Sequence, residues 1–281
     1  MSQARISDHI TIMPNRFPLM LGLVAFVVFA VAATFAISGI HGPDYAILRF
    51  FSTISNRSTF FDHAVFDLTK EMFSNVFLVT FVVYAWFSTD DEDRQAGILV
   101  GVIMSFVSGM LSRCIQVGVP SHLRPMQDPQ VQFGLPQGVL PHAYNHWPSF
   151  PSDHAAVMFG LACTVYYAHR NAGLFAFALA LPLNITRIYL GFHSPTDVIA
   201  GAMLGIIVVM STHSLKSSLL VRKIMQRKAM NKGIFFALSF YFCFGVGTLF
   251  SDYRDVGAEI AHGMGVHVKP KPVDSCAGSA E

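Results

Sequence analysis

Two clusters of ionisable residues in this sequence have the residue types that phosphoryl-transfer chemistry requires. The first has the spacing Arg-x5-His-x3-Asp, formed by Arg187, His193 and Asp197, and the second is the sequence Phe-Pro-Ser-Asp-His at positions 150–154. A neutral imidazole can attack phosphorus, a carboxylate can orient that imidazole, and a second histidine can protonate the leaving oxygen. Arginine can bind the non-bridging oxygens in a fork. Both clusters border long apolar segments, so they predict chemistry on a phosphate carried by a lipid.

Each cluster also has a purely structural interpretation. Asp197 ends a Ser-Pro-Thr-Asp sequence that is typical of a helix start, and Ser152 fits the N-cap of the helix that follows it. His193 alone would fit a surface histidine, and Arg187 alone would fit a side chain that extends to the lipid headgroups. His154, in contrast, lies just inside an apolar segment, where an ionisable group is costly. Two helix N-termini that face one loop also bind anions, so capping and phosphate binding are compatible.

The composition is that of a membrane protein. Of the 281 residues, 53% are hydrophobic and 13% are charged, whereas a soluble domain has about 25% charged residues. A membrane-spanning helix needs roughly 20 mostly apolar residues, and seven segments predict an all-α polytopic helical bundle. The mixed aromatic and charged segment 44–73 indicates helix in the membrane interface. The predicted spans are 18–40, 74–88, 97–116, 152–169, 172–190, 195–215 and 233–250.

Lysine and arginine residues set the predicted orientation of the chain. The segment 216–232 carries six basic residues and no acidic residue, so we expect it in the cytoplasm. Counting the spans then places both ionisable clusters, and the active-site loop 113–153, on the outer face. The predicted organisation is a cytoplasmic N-terminus at 1–17, a membrane core at 18–215, a basic cytoplasmic loop at 216–232, an extra transmembrane helix at 233–250 and a polar tail at 251–281.

The sequence does not predict a metal, a cofactor or a nucleic-acid partner. His122, His142 and His146 lie in the long loop, but their spacing is not that of a zinc site. No group of acidic residues has a pattern that would hold magnesium, and the four cysteines show neither metal spacing nor a disulfide framework. The net charge of +2 is not arranged as a basic stripe with aromatic residues. The expected partners are the bilayer and a membrane lipid substrate, and no oligomeric state is predicted.

The motifs of this chain resemble those of the type-2 phosphatidic acid phosphatase superfamily, which shares its site with vanadium haloperoxidases and bacterial acid phosphatases. The family motif Ser-Arg-x5-His-x3-Asp is matched from Thr186 to Asp197, with threonine in place of serine. The motif Pro-Ser-Gly-His is matched at 151–154, with Asp153 in place of glycine. Of the motif Lys-x6-Arg-Pro only the last two residues, at 124–125, are present, and Val117 occupies the lysine position. The resemblance covers roughly 97–215 and implies a six-helix phosphatase core, with the seventh span outside it.

The resemblance also implies roles for the residues that could do chemistry. His193 would be the nucleophile that forms a phosphohistidine, Asp197 would orient it, and His154 would be the general acid for the leaving oxygen. A water molecule would then release phosphate, and no metal would be needed.

The same resemblance implies a set of phosphate-binding residues. Arg124 and Arg187 would bind the phosphoryl oxygens, together with Ser152 and nearby backbone N–H groups. Arg113, which lies eleven residues before Arg124, is a candidate to supply the charge of the missing lysine.

The function implied by the resemblance is that of an integral-membrane lipid phosphatase. The sequence Phe-Pro-Ser-Asp-His-Ala at 150–155 resembles the branch that acts on polyprenyl pyrophosphates, so undecaprenyl pyrophosphate is the favoured substrate. The alternatives are a phosphatidate, phosphatidylglycerol phosphate or lipid A phosphatase, or a phosphotransferase that uses the same intermediate. A transporter would need ionisable groups near the span centres, whereas here they cluster at one end. We expect a multi-pass protein of the inner (plasma) membrane, with its site on the outer, periplasmic face.

The predicted sidedness can be tested by cysteine labelling. After replacement of the background cysteines, Cys114 and Cys276 above all, a cysteine placed at Gln137 in the long loop should react with a membrane-impermeant thiol reagent in intact cells or spheroplasts. A cysteine placed at Gln226 in the basic segment should react only after the membrane is broken. The opposite labelling pattern would invert the topology.

Overall fold

The computed structural model describes residues 16–38, 42–119, 121–141 and 147–248. Within these ranges the chain forms ten α-helices and two short 3-10 helices, and these ranges contain no strand. Residues 1–15, the tail 251–281, and His142 and His146 lie outside the described residues. The α-helices are α1 (Arg16–Ile37), α2 (Gly42–Ile54), α3 (Thr59–Thr69), α4 (Glu71–Phe87), α5 (Glu92–Gly118), α6 (Asp153–Ala168), α7 (Arg170–Tyr189), α8 (Pro195–Thr212), α9 (Leu219–Met230) and α10 (Lys232–Gly247).

Each of the seven predicted apolar segments forms a helix, namely α1, α4, α5, α6, α7, α8 and α10. Among the described residues, four helical stretches are long and apolar enough to cross a membrane, and they belong to α1, α5, α7 and α8. α4 and α10 contain shorter apolar helices, Val76–Phe87 and Lys232–Val246. The prediction of an all-helical membrane bundle is therefore confirmed. The segment 44–73 is also helical, as α2 and α3, as its sequence predicts.

Helix α6 lies at the centre of the bundle and packs against α5, α7 and α8. Twelve of its 16 residues are buried, so α6 has protein on nearly every side. Small residues allow the close approach of α8. A Cβ atom added to Gly201 would overlap the backbone carbonyl oxygen of Ser152, and one added to Gly205 would overlap that of Ala156. This contact brings the N-terminal ends of α6 and α8 together.

Helix α5 links the two ends of the bundle. Its 27 residues correspond to a length of about 40 Å at 1.5 Å per residue. At its start, Asp93 forms an ion pair with Lys216, with 2.5 Å between Oδ2 and Nζ. The acidic start of α5 therefore lies beside the basic segment, at the same end of the bundle, as counting the spans predicts. At its other end, Arg113 contacts Asp153. The structure also differs from the predicted loops, because 113–118 continue α5 and residues 219–230 of the basic loop form α9.

A buried carboxylate joins several connections between helices to one another. Asp62, on α3, accepts the backbone N–H of Asn56 at 3.1 Å and that of Gln137 at 2.9 Å. It also accepts a short hydrogen bond from the hydroxyl of Tyr189, at the end of α7. Because a buried charge is costly unless it is hydrogen-bonded, these three donors fix the long loop against α3 and α7.

We expect the substitution Gly201→Ala to destabilise the protein. Alanine normally stabilises a helical position by roughly 0.5–1 kcal/mol relative to glycine, but here the added methyl group meets a backbone carbonyl, and overpacking costs about 1–3 kcal/mol. The melting temperature in detergent should fall, and activity should fall with it because the starts of α6 and α8 are displaced. Gly22→Ala is the matched control, since nothing lies within 4 Å of its added Cβ atom. Equal melting temperatures for both variants would contradict this account of the helix contact.

Candidate functional site

The connection between α7 and α8 positions His193. It is a tight turn in which Gly191 has a φ of 71°, a conformation that favours glycine. The backbone N–H groups of Phe192 and His193 both point to the carbonyl oxygen of Arg187, at 3.0 and 3.4 Å. Two members of the Arg-x5-His-x3-Asp motif are therefore brought together by the backbone itself.

The imidazole of His193 is held in a defined orientation. Its Nδ1 atom lies 3.0 Å from the carbonyl oxygen of Ser149, which can only accept, so we assign the ring proton to Nδ1. The other nitrogen, Nε2, lies 3.4 Å from Nη1 of Arg124 and keeps its lone pair. Burial, together with the positive charge of Arg124, lowers the pKa of His193 to about 4, against the opposing effect of Asp197. The imidazole is therefore neutral at neutral pH, as a nucleophile must be.

The carboxylate of Asp197 is completely buried and accepts hydrogen bonds from the long loop and from the turn before α8. Its Oδ2 atom accepts the hydroxyl of Ser149 at 2.6 Å and the backbone N–H of Ser194 at 2.7 Å, and lies 3.8 Å from Nδ1 of His193. Ser194 in turn accepts the backbone N–H of Asp197 at 3.2 Å, so the predicted helix start is a complete capping box. Asp197 therefore caps α8 and also lies within ionic range of His193, whose direct hydrogen bond goes to the Ser149 carbonyl.

His122 is a member of this network that the sequence did not predict. Its Nε2 atom lies 3.2 Å from Oδ1 of Asp197, and its Nδ1 atom lies 3.3 Å from the carbonyl oxygen of Ala36, on α1. Because both ring nitrogens face acceptors, the doubly protonated imidazolium fits the site best. Burial alone would lower the pKa of His122, but the negative charge of Asp197 outweighs it and the pKa is raised. No sequence pattern links His122 to Asp197, because their contact spans 75 positions.

The second cluster lies at the start of α6, where Ser152 is the N-cap that the sequence predicted. The backbone N–H of Ser152 donates to the carbonyl oxygen of Asp197 at 3.0 Å, which joins the two helix starts. Nδ1 of His154 lies 2.9 Å from Oδ1 of Asp153, and Oδ2 of Asp153 lies 2.6 Å from Nε of Arg113. The proton of His154 thus belongs on Nδ1, and Nε2 is the atom that can exchange a proton with a substrate.

The three arginines that the sequence singled out have different surroundings. Nη1 of Arg124 donates to the carbonyl oxygen of Phe192 at 2.7 Å and is the arginine nitrogen beside His193. Nη2 of Arg187, also buried, donates to the carbonyl oxygen of Thr69 at 3.1 Å. Arg113 is partly exposed and pairs with Asp153. The structure therefore places Arg124 directly beside His193, the nucleophile candidate. Arg187 contacts the turn that carries His193 through its own backbone carbonyl.

This arrangement can support attack on phosphorus. A neutral imidazole with its proton fixed on the far side presents a lone pair next to a guanidinium, which can bind the oxygens of the group under attack. Two helix N-termini meet beside it, and the positive ends of their dipoles favour an anion. In the described part of the chain, no group of three or more His, Cys, Asp or Glu side chains could hold a metal ion.

Comparison with known proteins gives matches centred on the same region. The profile of the PAP2 superfamily matches residues 98–220. The bacitracin transport permease protein BcrC of Bacillus licheniformis is 26% identical over 160 residues, which cover 57% of this chain and 73% of that protein. YbjG of Escherichia coli strain K12, a protein assigned as an undecaprenyl-diphosphatase, is 30% identical over 146 residues, which cover 51% of this chain and 68% of that protein.

A shorter match and one solved structure complete the comparison. The lipid A 4'-phosphatase of Bacteroides thetaiotaomicron is 45% identical over 58 residues, which cover 20% of this chain and 26% of that protein. The crystal structure of a transmembrane PAP2-type phosphatidylglycerolphosphate phosphatase from Bacillus subtilis aligns with a TM-score of 0.47 and 19% identity. That alignment covers 73% of this chain and 98% of the other.

We expect Ser149→Ala to reduce kcat strongly, because the Ser149 hydroxyl is one of the donors to the buried Asp197 carboxylate. A hydrogen bond to a charged group is worth about 1.5–3 kcal/mol, which corresponds to a loss of roughly 10- to 100-fold in rate. The measurement is hydrolysis of 4-nitrophenyl phosphate by purified protein in detergent. Ser211→Ala, which removes an exposed helix hydroxyl bonded to Val208, should keep full activity. An unchanged kcat for Ser149→Ala would show that Asp197 does not need this donor.

Proposed function

Because the chain belongs to the PAP2 superfamily, we propose that it hydrolyses a lipid pyrophosphate or phosphate through a phosphohistidine on His193. The protein is a multi-pass membrane phosphatase, as its family and its apolar helices establish. The observation that best supports the finer proposal is the orientation of His193. Its Nδ1 faces the Ser149 carbonyl at 3.0 Å, and its Nε2 lies 3.4 Å from the guanidinium of Arg124.

The proposed reaction has two steps that use the same two histidines. In the first, Nε2 of His193 attacks phosphorus, the bond from phosphorus to the leaving oxygen breaks, and His154 gives that oxygen a proton. Asp197 stabilises the positive charge that develops on the His193 ring. In the second step His154 takes a proton from water, the water oxygen bonds to phosphorus, and the bond to Nε2 breaks. Inorganic phosphate leaves, and both histidines return to their starting states.

Phosphate binding in this proposal combines cationic side chains with helix N-termini. Arg124 is adjacent to the attacking nitrogen, and Arg187 is buried at the turn that carries His193. Ser152 and Ser194 cap the two helices whose starts meet at the site. A phosphate group there would face the positive ends of two helix dipoles. No metal or cofactor has a role in this mechanism.

The favoured substrate is undecaprenyl pyrophosphate, with the site on the outer face of the membrane. The similarity to an assigned undecaprenyl-diphosphatase, which this chain matches over 68% of its length, supports this choice. The short match to a lipid A 4'-phosphatase, which has a higher identity of 45% over 58 residues, makes a phosphorylated glycolipid the second candidate. The name of BcrC refers to transport, but a buried histidine with a guanidinium at its free nitrogen is arranged for chemistry on an anion.

One experiment tests both the mechanism and the substrate. Phosphate release is measured in detergent, with and without chelator, from undecaprenyl pyrophosphate, phosphatidic acid, phosphatidylglycerol phosphate and lipid A. We expect the highest kcat/KM for the pyrophosphate, no effect of chelator, and a phosphoenzyme that is labile to acid in the wild type. His193→Ala should remain folded but lose both turnover and the labelled phosphoenzyme.

The outcomes separate the parts of the proposal. Labelled phosphoenzyme in His193→Ala would refute the assignment of the nucleophile, whereas a preference for another lipid would change the substrate alone. Transfer of phosphate to an added alcohol in place of water would identify a phosphotransferase. Activity that is lost with chelator and restored by magnesium or zinc would refute the metal-independent mechanism.

A further inference from the structure

A second histidine–carboxylate pair lies beside the first. Asp153 is buried, with 3% of its surface exposed, and its two carboxylate oxygens have different partners. Oδ1 lies 2.9 Å from Nδ1 of His154, and Oδ2 lies 2.6 Å from Nε of Arg113. The resemblance drawn from the sequence assigned no role to Asp153, which stands where the related motif has glycine.

This carboxylate determines which nitrogen of His154 can act on a substrate. A carboxylate only accepts hydrogen bonds, so its position at Nδ1 requires the ring proton there and leaves Nε2 as the atom that exchanges protons. When Nε2 is protonated the ring becomes cationic, and the neighbouring carboxylate compensates that charge. His154 is the second residue of α6. Its contact with Asp153 holds the imidazole ring in one orientation.

Arg113 compensates the charge of the buried Asp153 carboxylate. A charge removed from water is costly unless it is paired and hydrogen-bonded, and the Arg113 guanidinium supplies the opposite charge. The guanidinium also lies over the ring of Trp147, 5.4 Å from its centre. The indole N–H of Trp147 donates to the side chain of Gln116 at 2.9 Å, and Gln116 donates to the carbonyl oxygen of Pro151 at 2.6 Å. These contacts anchor the arginine and the residues just before α6 to the same end of α5.

We propose that Asp153 and Arg113 are positioning residues for the general acid His154, and that Arg113 acts through Asp153 instead of binding the substrate phosphate. This inference rests on the proposed function, because it assigns a partner to the acid of that mechanism. The ion pair has no net charge, so Arg113 is a poor replacement for the missing motif lysine. Each of the two histidines proposed for the reaction then has its own carboxylate, with one pair for attack and one for proton transfer.

The test uses two substrates that differ in the need for a proton on the leaving oxygen. Phenyl phosphate and 4-nitrophenyl phosphate have similar shapes, but only the nitrophenolate leaves readily without protonation. General acid catalysis is worth about 10²–10⁴-fold. We expect Asp153→Gly to lower kcat/KM, which reports the steps up to formation of the phosphoenzyme, by roughly 10- to 100-fold for phenyl phosphate, inside that range. It should change kcat/KM for 4-nitrophenyl phosphate much less. Asp153→Asn, which keeps an acceptor without the charge, should lose less than Asp153→Gly.

Double variants distinguish positioning from direct phosphate binding. If Asp153 acts through His154, adding Asp153→Gly to His154→Ala should cause no further loss on either substrate. If Arg113 acts through Asp153, Arg113→Met should show the same leaving-group dependence and should add nothing to Asp153→Gly. Equal losses of kcat/KM on both substrates, a raised KM for Arg113→Met alone, or additive effects would overturn the proposal.

Two controls keep this result separate from the proposed function and from misfolding. His193→Ala must abolish activity on both substrates; if it does not, the proposed mechanism fails first. If His193→Ala and His154→Ala behave as expected while the Asp153 variants match the wild type, only the present inference fails. Melting temperature and a single elution peak in detergent show whether each variant is folded, and Asp153→Asn retains a polar partner for His154 in case Asp153→Gly unfolds.

Discussion

The buried carboxylate of Asp197 determines how the rest of the site is built. A negative charge that is removed from water must be compensated by donors, and each donor fixes a different part of the chain. The hydrogen-bond donors are Ser149, from the long loop, and Ser194, from the turn before α8, and the imidazole of His122, also from the long loop, lies within ionic range. His122 is itself anchored to α1 through Ala36. One carboxylate therefore connects three segments distant in sequence, and the orientation of the neighbouring His193 follows from the same contacts.

The fold could be predicted from the sequence because each span depends on a local property. Long apolar segments form helices in a membrane protein, since only a helix satisfies all the backbone hydrogen bonds of a single segment there. The ends of helices were less predictable. α5 extends beyond Gln116 to Gly118, and the basic segment forms α9, because neither polar helix ends nor amphipathic helices have the strong apolar pattern of a span. The short distance between α6 and α8 depends on Gly201 and Gly205, which mark a helix contact only once the partner is known.

The candidate site could be predicted only where its residues lie close together in the sequence. The i, i+4 relation of His193 to Asp197 and the capping box of α8 are local, so spacing reveals them. The contacts of Ser149 and His122 with Asp197 cross 48 and 75 positions, and no periodicity connects residues so far apart. Asp153 shows a different limit of the sequence. The sequence shows that aspartate replaces the glycine of the motif, but it does not show which residues that carboxylate contacts.

The length of α5 has a consequence for the way in which a substrate arrives. At about 40 Å it exceeds the roughly 30 Å hydrocarbon thickness of a bilayer, so hydrophobic mismatch is relieved by tilt or by emergence of its ends among the headgroups. Arg113 lies near the end of α5 that holds the candidate site, so emergence of that end would place the site in the layer that lipid phosphates occupy. Under the proposed function, a lipid would then reach the histidines by lateral diffusion without leaving its leaflet. Turnover on such a substrate would follow its mole fraction in the membrane plane, a two-dimensional concentration, and not its amount per volume of solution.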